Sequence, residues 1–466
     1  MPLSPELQKM KSEIRGYAIE AGLDFFDIIF EVLDWKQMNA VASYGGFPNR
    51  YPHWRFGMEY EHISKSYAYG LTKIYEMVIN NDPCYAYLLH SNSLVDQKLV
   101  MAHVYGHSDF FKNNVFFSGT NRKMIDEMGN HRAKVMTIAN RLGVDPVEEF
   151  IDACLSLENL IDHRAVGLPV KKVDEEEPAE EGERIIVPKI PSKGYMDSYM
   201  NPAEFVEEQR KKIEASRKEE RRFPIQPERD ILLFLAEQAP LERWQREVLR
   251  MIRAEAYYFA PQAMTKIMNE GWAAYHHSLI MTTRVLKDDE IIDYADHHSG
   301  TVSPRPGNLN PYKLGMELFR HIEARLGKAK IFEVRKLYND VTFLDAFLDE
   351  DFCRDQKFFL YGFDPGTNTY QIVDRDFKKV KAKLLQGLTN AGHPQIEAVD
   401  GNAFNRGELT LKHLHDGTDL RQDWAWDTLT KIQKIWKRPI HLETLLEGIP
   451  KVLTLNGDEK KEERIA

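Results

Sequence analysis

From Ser4 to about Gly167, apolar residues recur mostly at three- and four-residue intervals, the period of helices with one buried face. In SPELQKMKSEIRGYAIEAG, Ser4 and Pro5 supply an N-cap and a first-turn proline, and Gly22 a C-terminal stop. A second helix-rich block runs from about Phe223 to Leu348. After about Asp349 the pattern shortens to β-like runs: KFFLYGF, TYQIVD, QIEAVD, ELTLKHL, RPIHLETL and KVLTLN. Turn signals at Asp364-Pro365-Gly366, Asp400-Gly401 and Asp416-Gly417 separate them, as do the helical stretches DFKKVKAKLLQGLTN and DWAWDTLTKIQKIWKR. This pattern predicts a small α+β domain with one sheet and two helices on a face.

Between the helical blocks the text changes to acidic DEEEPAEEGER, proline-punctuated IIVPKIPSKGYMD and charged EEQRKKIEASRKEERR. Such sequence buries too little to order itself, so the expectation is a connector that ends in a solvated helix at 202–222. The expected organisation is a helical half at 1–168, the linker and solvated helix at 169–222, a second helical half at 223–348, and the α+β domain at 349–466.

Composition narrows the function classes. A formal charge of −10 leaves no overall basic surface, so nucleic acid and anionic membrane are not expected partners. Cys84, Cys154 and Cys353 are widely spaced, form no CxxC and make no disulfide framework, which suits the reducing cytoplasm. No signal-like segment and no membrane-length apolar run is apparent.

The chemistry concentrates in two stretches. In MAHVYGHSDFF, His103 and His107 are four residues apart, about 40° around a helix and one turn along it, so they can share one ion. Gly106 beside them leaves room for a ligand or a neighbouring helix. In FAPQAMTKIMNEGWAAYHH, Glu270 stands among the small residues Gly271, Ala273 and Ala274, where another helix can approach. Glu270 added to the two imidazoles makes a three-ligand, open zinc site. His277 shares the face of Glu270 but lies about 10 Å further along the axis, which places it behind the ligands or at the substrate. His53 in YPHW, Lys112, Asn113 and Asn114 in FFKNN, and NPYKLG, which reads as a helix entrance, have structural readings at least as good as catalytic ones.

YPHWRFG, NDPCYAYLL, MAHVYGHSDFFKNN, LERWQREVL, YYFAPQAMTKIMNEGWAAYHH and NPYKLG together resemble the stage V sporulation protein R (SpoVR) family over nearly the whole chain. The resemblance implies a cytoplasmic bacterial or archaeal protein, linked in spore formers to the spore cortex, a peptidoglycan layer, and it implies no settled reaction. NEGWAAY is also similar to the glutamate-bearing helix of gluzincin metallopeptidases, which matches Glu270 as third ligand and His103 and His107 as the HxxxH pair. Two features depart from that pattern. Val104 stands where a gluzincin has its general base, and about 160 residues separate the histidines from Glu270.

Two readings follow. In the first, the chain is a metal-dependent hydrolase of an amide or peptide bond in a cell-wall precursor or peptide. His103, His107 and Glu270 hold zinc or another divalent transition metal, Glu237 or Glu242 supplies the base, and His277 assists. In the second, a metal-stabilised, non-catalytic scaffold or regulator acts on a protein partner through the C-terminal domain. A fourth protein ligand, His277 or His131, then closes the metal site.

Overall fold

The computed structural model describes residues 3–69, 74–168, 223–303 and 309–465, together with Pro202, Glu207 and Lys211. The expected linker and nearly all of the expected solvated helix lie outside these residues. The chain is mostly helical, with sheet concentrated towards its C-terminus. It divides into two units that are each discontinuous in sequence, 1–170 with 247–393 and 171–246 with 394–466.

The first unit opens with α1 (Pro5–Glu20), whose N-cap Ser4 accepts the Leu7 N–H, and Gly22 follows the helix at φ +98°. Then come β1 (Ile28–Leu33), α2 (Trp35–Ser43), α3 (Trp54–Ala68), β2 (Glu76–Ile79) and β3 (Cys84–Leu89). The three strands form a sheet in the order β1-β3-β2, with β1 parallel and β2 antiparallel to β3. This sheet interrupts what the sequence pattern reads as helix. Most residues of β3 are buried, and such a strand shows a continuous apolar run without the alternation that marks a half-exposed one.

Next are α4 (Leu94–Asn113), α5 (Met124–Leu142) and α6 (Val144–Leu155). From its second residue to Phe111, α4 is buried all round except at Asp96, so it runs through the centre of the unit. In sequence, α7 (Ile231–Gln238), which belongs to the second unit, and α8 (Arg243–Met264) come next. The helices α9 (Lys266–Ile280), α10 (Ile291–Val302), α11 (Pro311–Leu326), α12 (Lys328–Leu337), α13 (Asp340–Phe347) and α14 (Glu350–Asp355) then complete the helical body. NPYKLG does open a helix: Asn310 accepts the Lys313 N–H and Pro311 is the first residue of α11.

The C-terminal runs become strands as the alternation predicts, but in two sheets instead of one. β4 (Leu360–Asp364) and β5 (Thr369–Asp374) make a separate hairpin, followed by α15 (Phe377–Leu388), and both group with the first unit. In the second unit β6 (Ile396–Ala403), β7 (Glu408–His413), β8 (Ile440–Leu446), β9 (Ile449–Asn456) and β10 (Glu459–Arg464) form a five-stranded sheet in the order β10-β9-β8-β7-β6. Only β7 and β8 pair in parallel, and α16 (Gln422–Trp436) makes the crossover between them. β10, EKKEER, is exposed at every position and carries no apolar signal, so periodicity gives no hint of it.

Candidate metal centre

α4 and α9 lie side by side and antiparallel, so that His103 meets His277 while His107 meets Asn269. The approach is close because side chains are missing where the helices touch. A Cβ on Gly106 would stand 2.6 Å from the Ala273 Cα, and one on Gly271 would stand 2.4 Å from the backbone of Gly315 on α11. The sequence expectation that Gly106 and Gly271 admit a neighbouring helix is met at both positions. Asp340 ties down the start of α9 by accepting the Ile267 and Met268 N–H groups at 2.8 and 2.9 Å, and burial pushes its carboxyl up to about 7. In the middle of α9, Trp272 is wholly buried and donates its indole N–H to Asp109 at 2.7 Å, while burial raises the Asp109 carboxyl to about 6.

This scaffold brings His103, His107 and Glu270 together. Their ligand atoms lie within 4.8 Å of one another, and among the described residues they form the one group of histidine, cysteine or carboxylate side chains able to hold a metal ion. Each imidazole presents Nε2 to Glu270 Oε2 at 3.5 Å. Ligands bonded to zinc at about 2.0–2.1 Å stand roughly 3.3–3.4 Å apart along a tetrahedral edge, so the spacing suits an ion between them. Glu270 Oε2 is buried and accepts no hydrogen bond, the condition of an atom whose partner is a cation. Burial pushes the Glu270 carboxyl up, but the two imidazoles outweigh it and hold the group well below the usual carboxylate range. His107 moves the other way: burial lowers it, and the neighbouring Glu270 more than compensates. Glu270 keeps 17 % of its side-chain surface, so the group is not sealed from solvent.

The outward-facing ring nitrogens are also engaged. His107 Nδ1 lies 2.9 Å from Asn269 Oδ1, and His103 Nδ1 lies 2.9 Å from His277 Nδ1. His277 Nε2 continues to His298 Nδ1 at 3.3 Å. His277 therefore stands behind His103, on the side away from Glu270. Burial and the surrounding histidines lower it well below its ordinary value. His131, the other suspected fourth ligand, is engaged elsewhere, with Glu255 at 2.8 Å.

Glu237 and Glu242 both fall in the second unit and are exposed, and Glu242 accepts the Trp244 indole N–H at 2.9 Å. Val104 is fully buried in the apolar core of the first unit. His53 caps α3, Lys112 pairs with Asp24, and Asn113 and Asn114 bond backbone carbonyls, so these four side chains already have partners in the fold. Two residues that the sequence did not single out act on the cluster. Glu76, at the start of β2, acts electrostatically on both histidines and Glu270, and burial raises its carboxyl. Tyr312 lies over His103 with ring centroids 6.0 Å apart, and burial together with the charge of Glu270 raises its hydroxyl.

Comparison with known proteins adds a family but no reaction. The family profile described as "SpoVR like protein" matches residues 3–393, a span that contains all three residues of the cluster. "Uncharacterized protein YcgB" of Escherichia coli (strain K12) is 30% identical over 461 residues, covering 90% of this chain and 88% of that protein. No solved structure matches the chain. Among the described residues no helix is long and apolar enough to cross a membrane.

Proposed function

The chain belongs to the SpoVR family, and on that premise we propose that its first unit is a metal-dependent hydrolase acting on an amide or peptide bond, with a gluzincin-like His103, His107 and Glu270 ligand set. The observation that supports this reading most is the three-ligand geometry, in which Glu270 Oε2 lacks a hydrogen-bond partner and no fourth protein ligand joins the group among the described residues. Zinc or another divalent transition metal bound there would polarise a scissile carbonyl and acidify a water to a pKa of about 7. The chain's own groups do the rest. Asn269 holds the His107 ring in place, Tyr312 packs over the His103 ring, and Glu76 is the carboxylate that accepts the proton Val104 cannot. Glu76 is preferred to Glu237 and Glu242 because its charge already acts on both histidines. A cell-wall precursor as substrate rests on the family's link to the spore cortex, and a cytoplasmic setting on the family together with three cysteines that make no disulfide framework.

The scaffold reading draws on one observation, the burial of Val104 in the core where a peptidase has its base. Metal analysis of purified protein, with turnover measured on a panel of peptides and muropeptides, separates the two. The hydrolase reading expects about one metal per chain, cleavage of at least one substrate class, and loss of turnover with metal retained in Glu76→Gln. Metal retained at stoichiometry after His103→Ala with His107→Ala refutes the site. Full turnover in Glu76→Gln refutes the base.

A further inference from the structure

The two ligand histidines are held from behind by different chemistry. The partner of His107 Nδ1 is a carboxamide oxygen, which can only accept, so His107 carries its proton on Nδ1 and its Nε2 lone pair faces Glu270 without further help. The partner of His103 Nδ1 is another imidazole nitrogen, which can either donate or accept. His103 therefore has two tautomers, and only the one protonated on Nδ1 leaves its Nε2 free to take a metal.

The choice does not stop at His277. If His103 donates, His277 accepts at Nδ1 and carries its own proton on Nε2, aimed at His298 Nδ1 3.3 Å away. His298 then accepts and holds its proton on Nε2. In the opposite arrangement all three protons shift to the other nitrogens, and His103 Nε2–H points at Glu270 Oε2. All three rings stay neutral in both arrangements. The outer member is set by the fold: His298 sits on α10 and stacks on Tyr294 with an interplanar angle of 13°. Two polar links tie this region to the first turns of α4, His297 to Asp96 at 2.6 Å and Glu290 to Lys98 at 2.6 Å.

We infer that His277 and His298 are positioning residues that set the ring tautomer of His103, so that metal binding at Nε2 fixes the proton positions of all three histidines out to α10. The inference rests on the proposed metal site. It gives His277 a role as partner to a ligand ring, the kind of outer contact whose loss typically costs 10–100-fold in metal affinity.

The test titrates apo protein with zinc and with cobalt(II) in competition with a chromophoric chelator, for wild type, His277→Leu, His277→Gln and His298→Leu. His277→Leu should bind 10–100-fold more weakly, whereas His277→Gln, whose side-chain oxygen can accept from His103, should recover most of the affinity. His298→Leu replaces a half-buried residue, and it should weaken binding by less. Nitrogen-15 correlation spectra of histidine-labelled, zinc-loaded protein should place the His277 proton on Nε2 and the His298 proton on Nε2. Equal affinity in wild type and His277→Leu, or a His277 proton on Nδ1 in the zinc form, overturns this inference and leaves the metal site standing. A wild type that binds neither metal overturns the site and the inference together.

Discussion

The first unit sets Glu255 and Glu270 against histidine rings, and the two are satisfied in opposite ways. Glu255, on α8, has both oxygens engaged: Oε1 accepts from His131 at 2.8 Å, while Oε2 accepts from Arg50 at 2.6 Å and from the Tyr51 hydroxyl at 3.1 Å. Its charge is balanced by a buried guanidinium, so the cluster is complete without any added group. Glu270 has imidazoles as its ion-pair partners among the described residues, and Oε2 is left without a hydrogen bond. A histidine against a buried carboxylate does not in itself make a metal site. What marks the Glu270 cluster is convergence of three lone-pair atoms with no internal cation to compensate the charge.

The sharpest way to break this comparison is to remove the ligands. His103→Ala with His107→Ala should take metal content from about one per chain to none, measured by elemental analysis after gel filtration, whereas Glu255→Gln should leave it unchanged. Loss of metal in Glu255→Gln with the fold intact would mean that the two clusters are not independent.

Stability should rank the glutamates the other way. Glu255→Ala strands Arg50 in the interior without its counter-ion and should cost about 3–5 kcal/mol in urea unfolding. In chelator-treated protein, Glu270→Gln removes a charge that the two imidazoles offset and strands no buried guanidinium, so it should cost less than Glu255→Ala. An equal cost at the two positions in metal-free protein would show that the imidazoles satisfy Glu270 as fully as the guanidinium satisfies Glu255.

The helices that carry the clusters should differ as well. Gly271→Ala on α9 drives a Cβ to 2.4 Å from the Gly315 backbone and should cost about 1–3 kcal/mol or more. Gly129 lies inside α5, two residues from His131, with nothing within 4 Å of its Cβ position. Gly129→Ala should therefore stabilise by about 0.5–1 kcal/mol through helix propensity. Equal tolerance at the two positions, read from thermal unfolding, would contradict the close-packed account of the metal-binding helices.

How much of this was legible in the sequence depended on whether the signal was local. The His103 and His107 spacing and the small residues around Glu270 are properties of single helices, and a periodicity argument reaches them. The partner of each ring is not. Asn269 and His277 lie on the helix opposite, and Glu76, which acts on the cluster electrostatically, lies on β2, a strand paired with β3. Tyr312 sits inside NPYKLG, where Asn310 and Pro311 signal a helix start but nothing signals what the tyrosine faces. The small sheet was hidden for a related reason, since the buried run in β3 lacks alternation, and β10 was hidden because its pairing with β9 requires no apolar side chain. The seven-residue spacing of Glu270 and His277 gave the right face but not the antiparallel partner that makes the face useful.

A pH-dependent effect concerns a histidine that faces away from the metal cluster. His276 is fully buried: its ring packs against Trp272 at 4.2 Å and near Tyr275 and Phe332, Nδ1–H donates to the Trp272 carbonyl at 3.1 Å, and Nε2 has no hydrogen-bond partner. Burial, reinforced by the positive charges of Lys328 and Arg335, lowers its pKa to about 3. In the unfolded chain the same ring titrates near 6.5. Between these values the unfolded state binds a proton that the folded state refuses, so stability is fully present above about pH 6.5 and is lost as pH falls towards 3, by up to about 1.4 kcal/mol per pH unit. At pH 5 this amounts to about 2 kcal/mol. His276→Leu should remove that share of the acid sensitivity, so that its stability difference between pH 7.5 and pH 5 is about 2 kcal/mol smaller than that of the parent chain. Both chains should carry His103→Ala with His107→Ala, which removes metal release from the comparison. Parallel pH profiles in urea unfolding would mean that His276 can take its proton without leaving the core, and its burial would then say nothing about the acid limit of the helical unit.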